Sequence, residues 1–450
     1  MGQFFDNKSI INRFLLKSGI FFHSLYSIKT NNMKNTLIYL ISTCLMCACS
    51  TQSEQQEEET NVIRLKEALA NPIELKLSEI VDSIAYIPLE TNSECYVRET
   101  GTIFYSKPYF VSFPGTIFDA QGNFVTNIGK LGQGPGEETN TWGFFVTYDE
   151  RKDLFYTMGD KVIQFDNKYK FTGKEVQITH RMNDNLPIGL KSPYAFVRAG
   201  KYNMIINYPD SAYWMNENLE IVKRARIIPD SLYLNSPEGG LLAEYNFSTL
   251  NDTTLFFNCF TDKLYSVTEN GLQTRWKFDL EGEKADSRCF LNGLQKLFID
   301  EMRSIVKTSN GNETIMKQRA ENSTLAKLID GKKWIGKAYE TERYVILTWS
   351  NLLAFQGWRG GNKSYWAIYD KKSKKTFAVN KLVNDIDECI DFFPFQCIQD
   401  DAIMIAVWPF DINEFISKQK GKGIKVSSKL EQIAVDDTAN PIIVLAYLKK

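Results

Sequence analysis

The chain has 450 residues and a mass of 51.7 kDa, with 43% hydrophobic and 24% charged residues. These are the proportions of an ordinary folded protein and exclude disorder, collagen or low-complexity architecture over most of its length. Lys and Arg number 53 against 54 Asp and Glu, for a net charge of −1, and no basic stripe offers a surface to nucleic-acid phosphates. Aromatic residues reach 13% while histidine falls to two, His23 and His180, a skew that favours strands over histidine-centred chemistry.

The first feature along the chain is an apolar run over 37–48, led by Lys34. A basic lead, a short apolar core and a small residue before Cys49 follow the order of a secretory signal peptide. The run is shorter than the roughly 20 residues a membrane-spanning helix needs. Met33 is the expected start, with residues 1–32 an upstream leader. Met46, Cys47, Ala48, Cys49 and Ser50 resemble the bacterial lipobox, with Met46 where that signal usually has Leu. The resemblance implies cleavage after Ala48 and a diacylated Cys49; plain secretion with an incidental Cys49 thiol is the alternative. Loss of residues 1–48 removes five cations and one anion, leaving the mature chain at −5.

Ser50–Glu59 is polar and acidic with nothing to bury, so residues 49–72 are predicted to form a solvated tether that holds a single domain, 73–450, off the bilayer. Acidic residues close behind the cysteine resemble the export signal of some surface-displayed lipoproteins. Localisation is expected to be the outer membrane, facing either the periplasm or the cell surface.

The body carries Cys95, Cys259, Cys289, Cys389 and Cys397, an odd set without a C-x-x-C pair or a histidine at ligand spacing, which argues against zinc. Cys389 and Cys397 are the nearest pair; a disulfide and buried free thiols both fit.

From Val81 onward, short β-branched and aromatic runs alternate with Gly, Asn and Asp turns, the pattern of many strands. A strand–turn–strand unit recurs around Asp119, Asp166, Asn216, Thr268 and Asp370, with spacing near 50 except for a doubled final interval. The turn side chain accepts hydrogen bonds from amides two residues on, which fastens a tight antiparallel connection. Within the long interval, Phe290, Leu291, Leu294, Leu297, Phe298, Met302 and Ile305 recur at helical spacing, so a helical insertion is predicted around 286–335. Five hairpins are visible. The sixth blade is predicted to form by pairing the last strand, 440–448, with Ile84–Leu89, closing the ring without a long open edge.

The segments DSIAYIPLET (82–91), GKLGQGPGE (129–137) and NPIIV (440–444) resemble the six-bladed β-propeller envelope lipoproteins, related in fold to TolB-like and NHL-type propellers. The resemblance covers about 73–450 and implies an all-β six-bladed propeller, with little about chemistry. The long insertion and the weaker turns at Asn216 and Thr268 depart from the pattern and leave seven blades as the alternative.

Gly129–Glu137 fits neither dinucleotide nor P-loop spacing and is read as a blade-to-blade crossover, with Gly132, Gly134 and Gly136 at φ values closed to other residues and Glu137 folded back onto the amides. Trp142, Trp214, Trp358 and Arg359 are the ligand-contact candidates, with Trp349 beside them. An aromatic face and a guanidinium fork suit a sugar ring or a carboxylate. Glu90, Asp119, Asp160, Asp166 and Asp391 are the carboxylates that a divalent cation in the central channel would need. His180 has no nucleophile motif beside it, so no catalytic residue is assigned. The leading expectation is a lipid-anchored envelope module that binds a glycan, peptide or envelope protein. A cation-dependent lactonase-like or glycan-cleaving hydrolase and a structural subunit of an envelope complex are the alternatives.

Overall fold

A computed structural model describes residues 61–97, 103–139, 144–177, 196–207, 211–227, 245–286, 292–353, 363–387, 389, 397–399, 401–424, 426, 428–433 and 436–450. Six small antiparallel sheets form a ring, each one blade of a propeller. Blade 1 comprises Ile103–Ser106, Tyr109–Ser112, Thr116–Phe118 and Phe124–Asn127. Blade 2 comprises Phe145–Asp149, Leu154–Met158, Lys161–Phe165 and Phe171–Gln177. Blade 3 comprises Phe196–Ala199, Tyr202–Asn207, Ser211–Met215 and Ile221–Arg226. Blade 4 comprises Tyr245–Leu250, Thr253–Asn258, Lys263–Thr268 and Gly271–Asp279. Blade 5 comprises Lys333–Glu340, Tyr344–Asn351, Ser364–Asp370 and Lys375–Val383. The first strand of each blade is innermost.

Blade 6 is assembled from both chain ends. Cys397–Gln399, Ala402–Val407 and Ile442–Leu448 provide three strands, and Val81–Pro88 pairs antiparallel with the last, Val444 opposite Tyr86. Asn440 fastens this seam. Its backbone N–H donates to Thr91 Oγ1 at 2.8 Å, its side-chain amide donates to the Glu90 and Cys95 carbonyls at 2.6 and 2.8 Å, and its Oδ1 accepts the Val97 N–H at 2.8 Å.

The predicted hairpins stand where expected, between the third and fourth strands of blades 1 to 5. Asp119 Oδ1 accepts the Gln121 and Asn123 N–H groups at 2.9 and 2.8 Å, and Asp166 Oδ1 those of Lys168 and Lys170 at 2.9 Å. Asn216 Oδ1 accepts from Asn218 and Glu220 at 2.9 and 3.0 Å. Thr268 Oγ1 accepts the Asn270 N–H at 3.2 Å, and Asp370 Oδ1 that of Lys372 at 2.8 Å. One local interaction thus explains the repeat.

The core is a series of apolar layers between blades. One joins blades 3, 4 and 5 through Trp214, Phe256, Phe257, Leu264 and Ile335. Another joins blades 5 and 6 through Tyr344, Trp366, Ile405 and Val444, and a third joins blades 6 and 1 through Ile443, Leu445 and Phe118. Alternation along each strand places successive side chains against opposite neighbours, so every blade is buried on both faces.

Residues 61–72, assigned by sequence to the tether, lie inside the fold instead. Asn61–Arg64 adds a parallel fifth strand to the outer edge of blade 4, and Ile73–Lys76 does the same for blade 5. Ile63, Leu65 and Leu69 are the reason, since all three are buried in the core. The insertion between blades 4 and 5 folds as three helices, Asn292–Thr308, Glu313–Glu321 and Thr324–Ile329. Asn312 and Ser323 cap the second and third by accepting the Ile315 and Ala326 N–H groups. Met302 is buried, and Ala326 and Ile329 join the core layer of blades 3 to 5, so this part of the insertion packs on its own ring. Blade 6 carries two further helices, Pro409–Gly421 and Ser428–Ile433, with Ile412, Ile416 and Leu430 facing the core. No helix among the described residues is long and apolar enough to cross a membrane.

Candidate functional site

The inner strands hydrogen-bond to a neighbour on one side only and leave the other edge toward the axis. There they enclose a cavity of about 1440 Å³ lined by all six blades. Phe104 and Tyr105 come from blade 1, Phe145 and Thr147 from blade 2, Phe196 and Arg198 from blade 3, Phe247 and Thr249 from blade 4, Lys337 and Tyr339 from blade 5, Met404 and Ile405 from blade 6. Aromatic packing holds this wall: Phe104 meets Phe145 edge-on at 5.3 Å, and Phe247 stacks on Phe256 at 5.1 Å. Asn246 bridges two inner strands, its amide donating to the Ala338 carbonyl at 2.7 Å and its Oδ1 accepting the Ala338 N–H at 2.9 Å.

One mouth of the cavity is ringed by turns that follow inner strands, and these carry both charges: Lys107, Glu150, Arg151, Asp252, Glu342 and Asp401, with Lys450 from the carboxyl terminus. Several are tied to the ring. Arg151 donates to the Gly200 carbonyl at 2.7 Å, Asp401 accepts the Glu342 N–H at 2.7 Å, and Lys450 lies 3.5 Å from Glu342. On the inner strands the signs differ: Arg198 and Lys337 are half-buried, and Asp149, the last residue of its strand, lies 3.6 Å from Lys152. Burial raises the Tyr148 phenol well above its usual range, and its hydroxyl donates to Asp153 at 2.8 Å.

Trp214 is completely buried, correcting its reading as a ligand-contact residue. It wedges between blades 3 and 4, and its indole N–H donates to the Thr268 carbonyl at 2.8 Å. Trp349 is buried as well, donating to the Trp366 carbonyl at 3.1 Å. Trp142, Trp358, Arg359, Asp391, His180 and Cys49 lie outside the described residues.

The other candidate carboxylates serve turns and crossovers. Glu90 accepts the Phe124 N–H at 2.8 Å, and Asp160 accepts the Thr139 hydroxyl at 3.1 Å. Asp119 and Asp166 hold their hairpins, and the Lys170 amide keeps the Asp166 carboxyl below its ordinary range. Among the described residues no group of three or more His, Cys, Asp or Glu is placed to hold a metal ion. Cys95, Cys259 and Cys389 are buried.

The glycine loop links blades 1 and 2, and Glu137 does fold back, accepting the Gly134 N–H at 2.9 Å. Gly136 has φ +75°, a conformation that favours glycine, whereas at Gly132 a Cβ would meet only the movable Glu137 carboxylate, 2.0 Å from its Oε2. The loop ends on Glu138, which is fully buried; its carboxylate accepts the Thr157 hydroxyl at 2.9 Å and the Gly159 N–H at 3.1 Å, and burial pushes it up to about 7.

Sequence reasoning missed the channel residues, because nothing in a single strand marks it as innermost. The available signal is position: the inner strand lies two strands upstream of each Asp, Asn or Thr hairpin.

Six blades, four of them four-stranded and two extended by a fifth strand, a seam that joins Val81–Pro88 to Ile442–Leu448 and an axial cavity define a six-bladed β-propeller. The chain belongs to the family described as domain of unknown function DUF4934, which it matches over residues 60–447. Its fold is similar to that of a presumed exported protein from Bacteroides fragilis, with a TM-score of 0.52 and 17% identity over 87% of this chain and all of the other. Weaker similarity links it to BamB from Moraxella catarrhalis, with a TM-score of 0.28 and 11% identity over 73% of this chain and 72% of that one. No curated protein matches the chain.

Proposed function

We propose that this protein is a lipid-anchored, extracytoplasmic propeller that binds a ligand in its axial channel without transforming it. The observation that carries the reading is the cavity of about 1440 Å³ lined by residues of all six blades, aromatic and polar side chains among them. Pockets of roughly 300–1,000 Å³ already hold drug-sized molecules, so this one has room for an oligomeric ligand. Export is supported by the signal-like segment before Cys49 and by the fold shared with a presumed exported protein.

Two experiments test the two halves. Metabolic labelling with an alkyne fatty acid is expected to mark the wild type and to miss Cys49→Ala; equal labelling defeats the anchor. Fractionated envelope extracts are expected to raise the melting temperature of the purified protein, as any ligand selective for the folded state does. Phe247→Ala, which opens the channel wall, is expected to remove that shift. A shift that survives this variant places the ligand elsewhere.

A further inference from the structure

We infer that the channel's occupant is a single-chain amphiphile, its acyl chain sunk among deep phenylalanines and its zwitterionic head left at the charged mouth. This rests on the channel being the binding site and adds the chemistry of what fills it. Height along the inner strands sorts the lining. Each inner strand climbs to a turn at the mouth at roughly 3.3 Å per residue, so distance from the strand's end measures depth. Arg198 lies one residue below the end of its strand and Asp149 ends its own, while Glu150, Arg151, Asp252, Glu342 and Asp401 stand in the turns beyond. Phe104, Phe247 and Phe145 lie two, three and four residues down their strands. That places them roughly 7–13 Å below the last strand residues. On blade 6 the second strand runs back down, and Ile405 and the exposed Ala406 lie below Cys397, the foot of the inner strand.

The polar groups at that depth are already engaged or turned away. Asn246 commits its amide and its Oδ1 to Ala338, Thr147 shares a hydrogen bond with Ser106 at 3.5 Å, the Ser248 hydroxyl is buried, and Lys337 has a partner of its own. A glycan threaded past the phenylalanines would leave hydroxyls without partners there, which costs binding. An acyl chain needs none, and each CH₂ it buries is worth about fourfold in affinity.

The charges set the head. Among the described lining residues five cations stand against five carboxylates. Arg198 with Asp252 and Lys450 with Glu342 form ion pairs at 3.7 and 3.5 Å. A head of one sign is drawn to one set and repelled by the other, whereas a zwitterion meets both at once.

The test is calorimetric titration of the mature chain, residues 49–450 with Cys49→Ala, so that neither an acyl group nor detergent competes. The probes are lysophosphatidylcholines of eight, ten and twelve carbons, each below its micelle concentration, with glycerophosphocholine, dodecanoate and a galactose tetramer as controls. Affinity is expected to rise roughly tenfold for each two carbons added. Glycerophosphocholine and the tetramer are expected not to bind, and dodecanoate to bind at least fivefold more weakly than the twelve-carbon lysolipid. Phe104→Ala and Phe247→Ala are each expected to weaken that lysolipid fivefold or more. No lysolipid binding, affinity independent of chain length, or equal binding by any control overturns the inference. The two levels of the argument fail differently. If the envelope-extract shift still depends on Phe247 while no lysolipid binds, the channel stands and the amphiphile falls. If lysolipids bind by chain length and neither phenylalanine variant weakens them, the channel is not their site and the inference falls with it. Matching melting temperatures certify that each variant is folded.

Discussion

Blades 3 and 6 have the same four-stranded form and are held together by opposite means. In blade 3 the chain runs continuously from Phe196 to Arg226, and Asn216 secures the last hairpin by accepting two amides no more than four residues away. In blade 6 the outer strand arrives from the other end of the sequence, and Asn440 secures it through partners 343 to 350 residues distant. Both use an asparagine side chain to replace missing backbone partners. The local one shapes a turn; the distant one holds the ring shut. Damage to the first should stay within a hairpin, while damage to the second should reach every blade.

Substitutions sharpen that contrast in descending order of effect. Ile443→Ala removes a fully buried side chain from the seam between blades 6 and 1 and is expected to cost about 2–5 kcal/mol in denaturant unfolding. Asn440→Ala leaves two carbonyls and an amide without their partner and is expected to cost roughly 2–4 kcal/mol. Hydrogen exchange should then rise across all six blades; protection lost in blade 6 alone would break the comparison.

Glu138→Gln tests a crossover between those extremes. Because the folded carboxyl titrates near 7 and the unfolded one near 4.5, the native state holds the extra proton between those values. The wild type is therefore expected to lose stability, by roughly 1–3 kcal/mol, as pH rises through that window. The Gln variant should lack this slope in melting temperature against pH. Asn216→Ala is expected to be mildest, about 0.5–1.5 kcal/mol, with exchange increased only near residues 215–221.

The parts legible in the sequence are those fixed by neighbours in the chain. Asp119, Asp166, Asn216 and Asp370 announce their turns because the amides they bind lie within four residues, and Thr268 works the same way with one hydroxyl. The terminal seam was readable as two apolar strands without partners. Trp214 was misread because its neighbour is a polar turn, while its actual surroundings come from blade 4. Residues 61–72 were hidden for a similar reason: Ile63 and Leu65 find their partners some two hundred residues away, and the helix of Leu69 packs on Lys375–Val383, farther still. The helices of blade 6, Pro409–Gly421 and Ser428–Ile433, were not foreseen, although Pro409 at the helix start is a local marker. The channel could not be read at all, since Arg198 and Lys337 become neighbours of one space only once the circle exists.

The seam also dictates a timetable. Synthesis delivers Val81–Pro88 long before its mate Ile442–Leu448. Until then the early strand has nothing to align with, and Asn61–Arg64 waits likewise for Trp276–Asp279. A polypeptide so arranged can pair the strands of blades 1 to 3 locally, but it cannot close its ring before Ile442–Leu448 exists.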